Sequence, residues 1–266
     1  MGVNLKNKYG EWALVTGATS GIGAEIANQL AAQGFNIVLV ARRENELDRY
    51  SEQLRQQHSV QTLTVSADLA SSDGVAKVKQ IEKEIGLLVL AAGVEVNGSF
   101  AKTALEKELQ MIQLNVTSVL ELSHHFSAKM VARKRGGILM VSSLAGHMAS
   151  PYFSNYAGTK AYVLQFGTSL HGELKAHGVD VTVLSPGLTN TPMTADNDVD
   201  WSQLPFTAKD PDEVAKLAIN GLGKKAVVIP GKRNHMAAIM SGIMSHKAQA
   251  TMGESMMVKA IAEEKR

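Results

Sequence analysis

The sequence predicts an α/β protein built on a parallel sheet with helices on both faces. Three observations predict it. Short apolar runs alternate with helix-length segments from Trp12 to about residue 229. These runs are near-continuous rather than alternating, as expected of strands buried on both faces. A glycine cluster stands directly between the first run and the first helical segment, where such folds receive phosphates.

Trp12–Thr16 is the first strand, and helical periodicity over 24–33 ends at Gly34. A strand over 36–40, a helix over 44–57, a strand over 60–65, a helix over 72–84 and a strand over 87–90 follow. A long helix is expected over 104–133 and a strand over 137–141. The helix carrying Tyr156 then runs to about His177, before the strand Val179–Leu184. After an irregular stretch, Pro211–Gly221 reads as helix and 226–229 as a seventh strand. No repeat, low-complexity tract or linker interrupts the pattern, so 1–266 reads as one domain. Within it, 188–210 is a candidate substrate lid and 232–266 a helical C-terminal extension.

Composition narrows the class. The 266 residues are 45% hydrophobic and 20% charged, as in packed globular proteins. A net charge of +2 gives no reason to expect nucleic acid as a partner. The absence of cysteine rules out disulfides and thiolate metal sites, agrees with a reducing compartment, and no metal is expected. The first eleven residues are too polar for a signal peptide, and Lys6 stands where N-myristoylation after Gly2 needs Ser or Thr. No window reaches the ~20 apolar residues of a membrane span. The expectation is a soluble cytoplasmic protein.

The sharpest chemical signal is Tyr156-Ala157-Gly158-Thr159-Lys160. On a helix, Tyr156 and Lys160 share a face one turn apart. A free phenol ionises only near pH ~10, and a nearby ammonium favours the phenolate. Lys160 is therefore expected to bring the Tyr156 phenol into the range of acid–base work at a carbonyl or alcohol.

The glycine cluster, Thr16-Gly17-Ala18-Thr19-Ser20-Gly21-Ile22-Gly23, does not have G-x-G-x-x-G spacing. It fits T-G-x-x-x-G-x-G, which resembles the dinucleotide loop of the short-chain dehydrogenase/reductase family. The resemblance implies a three-layer, doubly wound Rossmann fold with a seven-stranded parallel sheet. It also implies a bound nicotinamide dinucleotide, with Gly17, Thr19, Ser20, Gly21, Ile22 and Gly23 around its phosphates. Where NAD-preferring members carry Asp, this chain has Ala41, followed by Arg42 and Arg43. A guanidinium there can fork onto a 2′-phosphate, so NADP(H) is expected; Arg43 also reads as a solvated helix start. Asp68-Leu69 resembles the family's adenine contact. The family's Asn-Asn-Ala-Gly is replaced by Leu90-Ala91-Ala92-Gly93. Ala92 and Gly93 keep room for the adenosine, but any hydrogen bonds of the two asparagines must be replaced.

The same resemblance assigns the remaining roles. Ser143 has the family spacing to Tyr156 and would steady the reacting oxygen, leaving Ser142 structural. Lys160 would tune Tyr156 and hold the nicotinamide ribose. Asn115, a buried amide on an apolar helix, reads either as a satisfied core residue or as the holder of a proton-relay water. Pro186 and Gly187 would lie beside the nicotinamide and Leu188 would hold its carboxamide, with Thr189 and Thr191 both open for carboxamide or phosphate contact. Val94, Glu95, His147, Met193, Trp201 and the tail would wall a pocket for a medium-sized, mostly apolar ketone or a fatty acyl-like carbonyl compound, or the corresponding alcohol. In the tail, Met236, Met240 and Met244 recur at helical spacing, and Met252, Met256 and Met257 follow. Such a stripe suits core or oligomer packing first, and a substrate cleft or membrane surface second. Family members commonly pair through the helices after strands four and five, so a homodimer or homotetramer is expected. Two other classes stay open: a non-catalytic dinucleotide sensor or scaffold, and a serine hydrolase using Ser143 with His147. The hydrolase lacks the Gly-x-Ser-x-Gly turn.

Overall fold

Seven parallel strands form one sheet in the order β3-β2-β1-β4-β5-β6-β7. They are β1 (Trp12–Thr16), β2 (Asn36–Ala41), β3 (Thr62–Ser66), β4 (Ile85–Leu90), β5 (Gly136–Val141), β6 (Val179–Leu184) and β7 (Val227–Val228). The computed structural model describes residues 4–266; Met1 and Gly2, on which the leader and acylation readings partly rest, lie outside the described residues. The strand order reverses between β1 and β4, and open sheets of this doubly wound Rossmann type bind ligands at that crevice.

Strand alternation sends successive residues to opposite faces. On one face Val15, Ile37, Leu39 and Val89 pack under α2 (Gly21–Ala32), α3 (Glu44–His58) and α9 (Pro211–Gly221). On the other, Leu14, Val38, Leu88 and Met140 pack under α4 (Ser72–Lys79), α6 (Ser118–Ala132) and α7 (Ser154–Lys175). Every residue of β4 is buried, which explains its unbroken apolar sequence. Each fully buried Leu or Ile contributes about 1.5–3 kcal/mol, so the two cores set the stability of the platform.

Four elements differ from the sequence expectation. The polar N-terminus holds a short helix, α1 (Leu5–Tyr9), docked through Leu5 and Tyr9. The Tyr9 hydroxyl donates to Asp180 Oδ2 at 2.8 Å, and Lys8 pairs with the same oxygen at 2.5 Å. Helix α4 stops at Lys79 and β4 begins at Ile85; Gly86, which precedes the strand expected over 87–90, lies inside β4, where it packs so closely on the Tyr9 carbonyl that a Cβ would lie 2.3 Å from it. Strand β3 starts at Thr62. The expected single helix over 104–133 is divided into α5 (Leu105–Ile112), a π-helical turn Gln113–Thr117 and α6. In that turn the Ser118 amide donates to Gln113 O, one residue further back than in an α-helix, and the Ser118 hydroxyl takes up the freed Leu114 carbonyl at 2.6 Å.

The irregular stretch after β6 contains α8 (Pro192–Ala195) and a 3₁₀ turn at Trp201–Gln203. The tail forms α10 (Lys232–Ile243) and α11 (His246–Ala260). Among the described residues no helix is long and apolar enough to cross a membrane, and no cluster of three or more His, Asp or Glu could hold a metal.

Thr16 supplies part of what the missing asparagines would. Its Oγ1 accepts from the amides of Ala91 and Ala92, both at 3.0 Å, and stitches the end of β1 to the exit of β4. Thr16→Val keeps the shape and leaves two amides unpaired, so it should cost about 2 kcal/mol or more in urea-unfolding free energy.

Candidate active site

The carboxyl ends of β1, β4, β5 and β6 open into a cavity of about 980 Å³. Its floor begins at the glycine turn. Gly17 takes φ +65°, and a Cβ there would lie 2.9 Å from the Ala92 backbone; only glycine lets the two chains approach so closely. A Cβ on Gly23 would lie 2.3 Å from the Gly17 carbonyl, so Gly23 lets α2 start tight against the strand. Ser20 precedes α2 in extended backbone and makes no side-chain cap, which leaves first-turn amides open to an anion. The Thr191 side chain lies over Gly21, 3.0 Å from where a Cβ would stand. The Thr189 hydroxyl donates to Gly187 O at 3.0 Å, and the Thr191 hydroxyl lies 3.4 Å from that of Thr194 at the start of α8, so both threonines face partners of their own.

The adenosine end is electropositive. Arg42 is exposed and makes no ion pair among the described residues, whereas Arg43 pairs with Glu46 at 2.8 Å. Arg43 thus behaves as the solvated helix start. Asp68 is exposed and its Oδ1 accepts the Ala70 amide at 3.0 Å, and Leu69 is buried. These groups and Thr19 lie outside the cavity lining, while Ser20, Ile22, Ala92, Gly93, Pro186, Gly187 and Leu188 are part of it. An uncapped helix start on the cavity floor, glycines where a Cβ would collide and, beside Ala41, an arginine with no ion pair among the described residues fit a dinucleotide.

Ser143, Tyr156 and Lys160 meet on one wall. Helix α7 presents Tyr156 and Lys160 in its first two turns, with the Lys160 Nζ 5.7 Å from the centre of the Tyr156 ring. Lys160 is buried, and its Nζ donates to Val141 O at 3.1 Å. Ser142 is buried and donates to the Lys160 carbonyl at 2.7 Å, the structural role expected of it. Ser143 lies within hydrogen-bonding reach of the Tyr156 hydroxyl. The π-turn aims Asn115 at the same corner. Its Nδ2 donates to Val94 O (2.8 Å) and Thr159 Oγ1 (3.1 Å), and its Oδ1 accepts the Val94 amide at 3.0 Å. The Asn115 amide group is thus engaged with protein, and its position fixes β4's exit against α7.

One expectation fails in electrostatic detail. The Tyr156 phenol is pushed above its ordinary value, by burial first and by the Glu95 carboxylate second, with the Ser143 hydrogen bond acting the other way. The Lys160 amine faces the Val141 carbonyl rather than the phenol oxygen, so it does not offset the loss of water. Burial lowers Lys160 itself to about 8, with Glu95 acting in the opposite direction. Burial likewise raises Glu95, against its hydrogen bond from Asn197 and the charge of Lys160.

Of the expected substrate residues, Glu95, Met193 and Trp201 line the cavity. His147 and Val94 do not. The 3₁₀ turn Leu144–His147 directs the His147 Nε2 into the protein, where it is buried without a partner and burial lowers its pKa. His147 is therefore placed neither to touch substrate nor to serve Ser143 as a base, which removes the geometric basis of the hydrolase alternative. The methionines expected first as packing divide: Met257 lies in a buried cluster with Met256 against it, Met236 is exposed, and Met240, Met244 and Met252 join Met256 and Met257 along the cavity wall, because α10 and α11 fold back over it. Gln249 anchors that fold-back, accepting the Ala149 amide at 3.1 Å and donating to Ser241 O at 2.8 Å.

Several contacts escaped the sequence reading. Asn197 donates to Glu95 Oε1 at 2.5 Å and accepts from Trp201 Nε1 at 3.1 Å. Asn234 lies against Gly187, where a Cβ would come within 2.5 Å of its side chain. Both sit in irregular or tail segments without periodic signal. Thr16 alone had a signal, as the first letter of the glycine-loop motif.

Fold and site together define a dinucleotide-binding oxidoreductase architecture. The family model described as short chain dehydrogenase matches residues 11–201, and the chain belongs to that family, whose members act on hydroxyl and carbonyl groups. It is 35% identical over 238 residues to a 7beta-hydroxysteroid dehydrogenase of Collinsella aerofaciens, covering 87% of this chain and 90% of that protein. A structure solved in a study of 7beta-hydroxysteroid dehydrogenase stereoselectivity superposes with a TM-score of 0.86 at 31% identity, over 95% of this chain and all (100%) of the other. A short-chain dehydrogenase from Sphingobium yanoikuyae in complex with NADPH superposes with a TM-score of 0.79 at 30% identity, over 88% and 94% of the two chains.

Gly23→Ala should lower dinucleotide affinity at least about tenfold, a loss of ~1.4 kcal/mol, in fluorescence titrations with NADPH.

Proposed function

We propose that this chain is an NADPH-dependent reductase that converts a bulky, mostly apolar ketone to a secondary alcohol. The observation that carries this reading is the meeting of Ser143, Tyr156 and Lys160 on one wall of an apolar cavity, beside an uncapped helix start. The steroid activity named for its relatives fits a cavity of this size walled by methionine, tryptophan and phenylalanine.

When bound, the nicotinamide supplies hydride to the carbonyl carbon. The first-turn amides of α2 and Thr191 hold the phosphates, Arg42 takes the 2′-phosphate, and Asp68 receives the adenine amine. Leu188 holds the carboxamide, and Lys160 the ribose hydroxyls. Ser143 donates to the carbonyl oxygen as negative charge builds there. Tyr156 delivers a proton to that oxygen. A phenol held neutral by burial is the donor form, which suits reduction. Lys160, protonated below about pH 8, would donate to the ribose and so orient the nicotinamide beside Tyr156. Asn115 holds the corner from which a proton is resupplied.

Residues 188–210 act as the lid within a single domain of residues 1–266, and α10 and α11 close the cavity from the other side. The cluster of Phe153, Leu204, Met257 and Ile261, packed around Tyr156 and Trp201, joins lid, tail and catalytic helix. A second copy of the chain covers the outer face of α5 and α6, where Leu105, Leu109 and Leu120 stand exposed.

Tyr156→Phe should abolish ketone-dependent NADPH oxidation while NADPH still binds; turnover by that variant would defeat the assignment. Arg42→Ala should cost roughly ten- to a hundredfold in NADPH affinity, the ~1.5–3 kcal/mol of a charge-assisted hydrogen bond, with little change for NADH. The kcat/KM for reduction should be level near pH 7 and fall as pH rises through about 8, as Lys160 loses its proton. A pH–rate profile with no alkaline limb would contradict that role.

A further inference from the structure

Three carboxylates line the cavity, and two are already engaged. Asp210 accepts from the Asn190 side chain at 3.0 Å, and Glu213 pairs with Lys209 at 2.5 Å. Glu95 differs. Its Oε1 accepts from Asn197, but its Oε2 has no protein partner among the described residues. Asn197 is itself buried and locked: its Oδ1 accepts from Trp201 Nε1 and the Val199 amide, and its carbonyl accepts from Asn97 at 2.6 Å. The carboxylate is therefore held in one place by the lid rather than swinging freely.

A fixed carboxylate with an empty acceptor position in an apolar cavity is costly unless something donates to it. Beside the phenol it also has a chemical effect, since its charge opposes the phenolate that Tyr156 becomes after giving up its proton. A donor from the substrate would satisfy the oxygen and weaken that opposition. The donor is a hydroxyl rather than an ammonium, because the Lys160 charge already acts on this space and would repel a second cation.

We infer that Glu95 is a specificity-determining residue whose Oε2 accepts a hydrogen bond from a substrate hydroxyl, so that the preferred ketone carries a hydroxyl as well as its carbonyl. The inference rests on the reductase reading above and names the substrate class more narrowly. A site built to bond a hydroxyl discriminates strongly against the analogue lacking it, because the acceptor is left unpaired.

Matched probes test it: benzoin against deoxybenzoin, and a ring-hydroxylated decalone against the unhydroxylated decalone. For the wild type, kcat/KM should favour the hydroxylated member of at least one pair by about tenfold or more. In Glu95→Met that preference should shrink to within about twofold; Glu95→Gln, which keeps an acceptor oxygen, should retain part of it. Thermal shifts of the NADP⁺ complex with the corresponding alcohols read the same preference without turnover. Equal treatment of both pairs by rate and by thermal shift, or a preference that survives Glu95→Met, overturns the inference. A hydroxyl preference in binding with no reduction of any ketone supports the Glu95 assignment and counts against the reductase reading instead.

Discussion

The docking of α7 on the carboxyl edge of β5 is the constraint on which the site depends. Two hydrogen bonds bind the strand end to the second turn of the helix: Ser142 to the Lys160 carbonyl, and the Lys160 amine to the Val141 carbonyl. Gly146 permits the close approach, since a Cβ there would lie 2.7 Å from the Lys160 carbonyl carbon. Because Lys160 is pinned through both its main chain and its amine, Tyr156, one turn earlier, is aimed without needing a partner of its own. Asn115 braces the other side through Val94 and Thr159. Ser143, Tyr156 and Lys160 thus ride on or directly beside packed secondary structure, while the irregular polar segments supply the rest of the cavity wall.

This division explains what the sequence disclosed. The buried strands were legible because each is apolar along its full length, and the glycine loop because a collision-free turn leaves few residue choices. Tyr156, Lys160 and Ser143 were legible through spacing, which survives wherever helix and strand are regular. Regularity also marks the limits. The π-turn at Gln113–Thr117 has no periodic signature, since one extra residue in a turn barely disturbs an apolar pattern. Helix α1 was hidden because only Leu5 and Tyr9 face inward among lysines and asparagines. The electrostatic sense of the Tyr156–Lys160 pair was misjudged for a different reason: helical spacing reports proximity, whereas desolvation depends on everything folded above the pair, much of it from the tail.

That covering is the chain's main individual feature. The sheet and the nucleotide crevice are common property of the family, and their residues answer to the phosphates and the sheet. The roof is assembled from α10, α11 and the 188–210 stretch, all sequences with weak patterning. Methionine suits this position because an unbranched, polarizable side chain fills irregular space without a fixed shape of its own. Among such walls Glu95, held from behind by Asn197, is the polar group with most influence over what the cavity accepts.

The last residues of the chain are part of this roof. The Ser99 amide donates to the Lys265 carbonyl at 2.7 Å, the Lys265 amine reaches Asp198 at 2.9 Å and Asn97 at 3.2 Å, and Ile261 bridges to Val199. The carboxyl terminus thus works as a clasp between the loop after β4 and the lid. Changes at Ile261 or Lys265 would therefore loosen that clasp and shift the roof, although neither side chain lines the cavity.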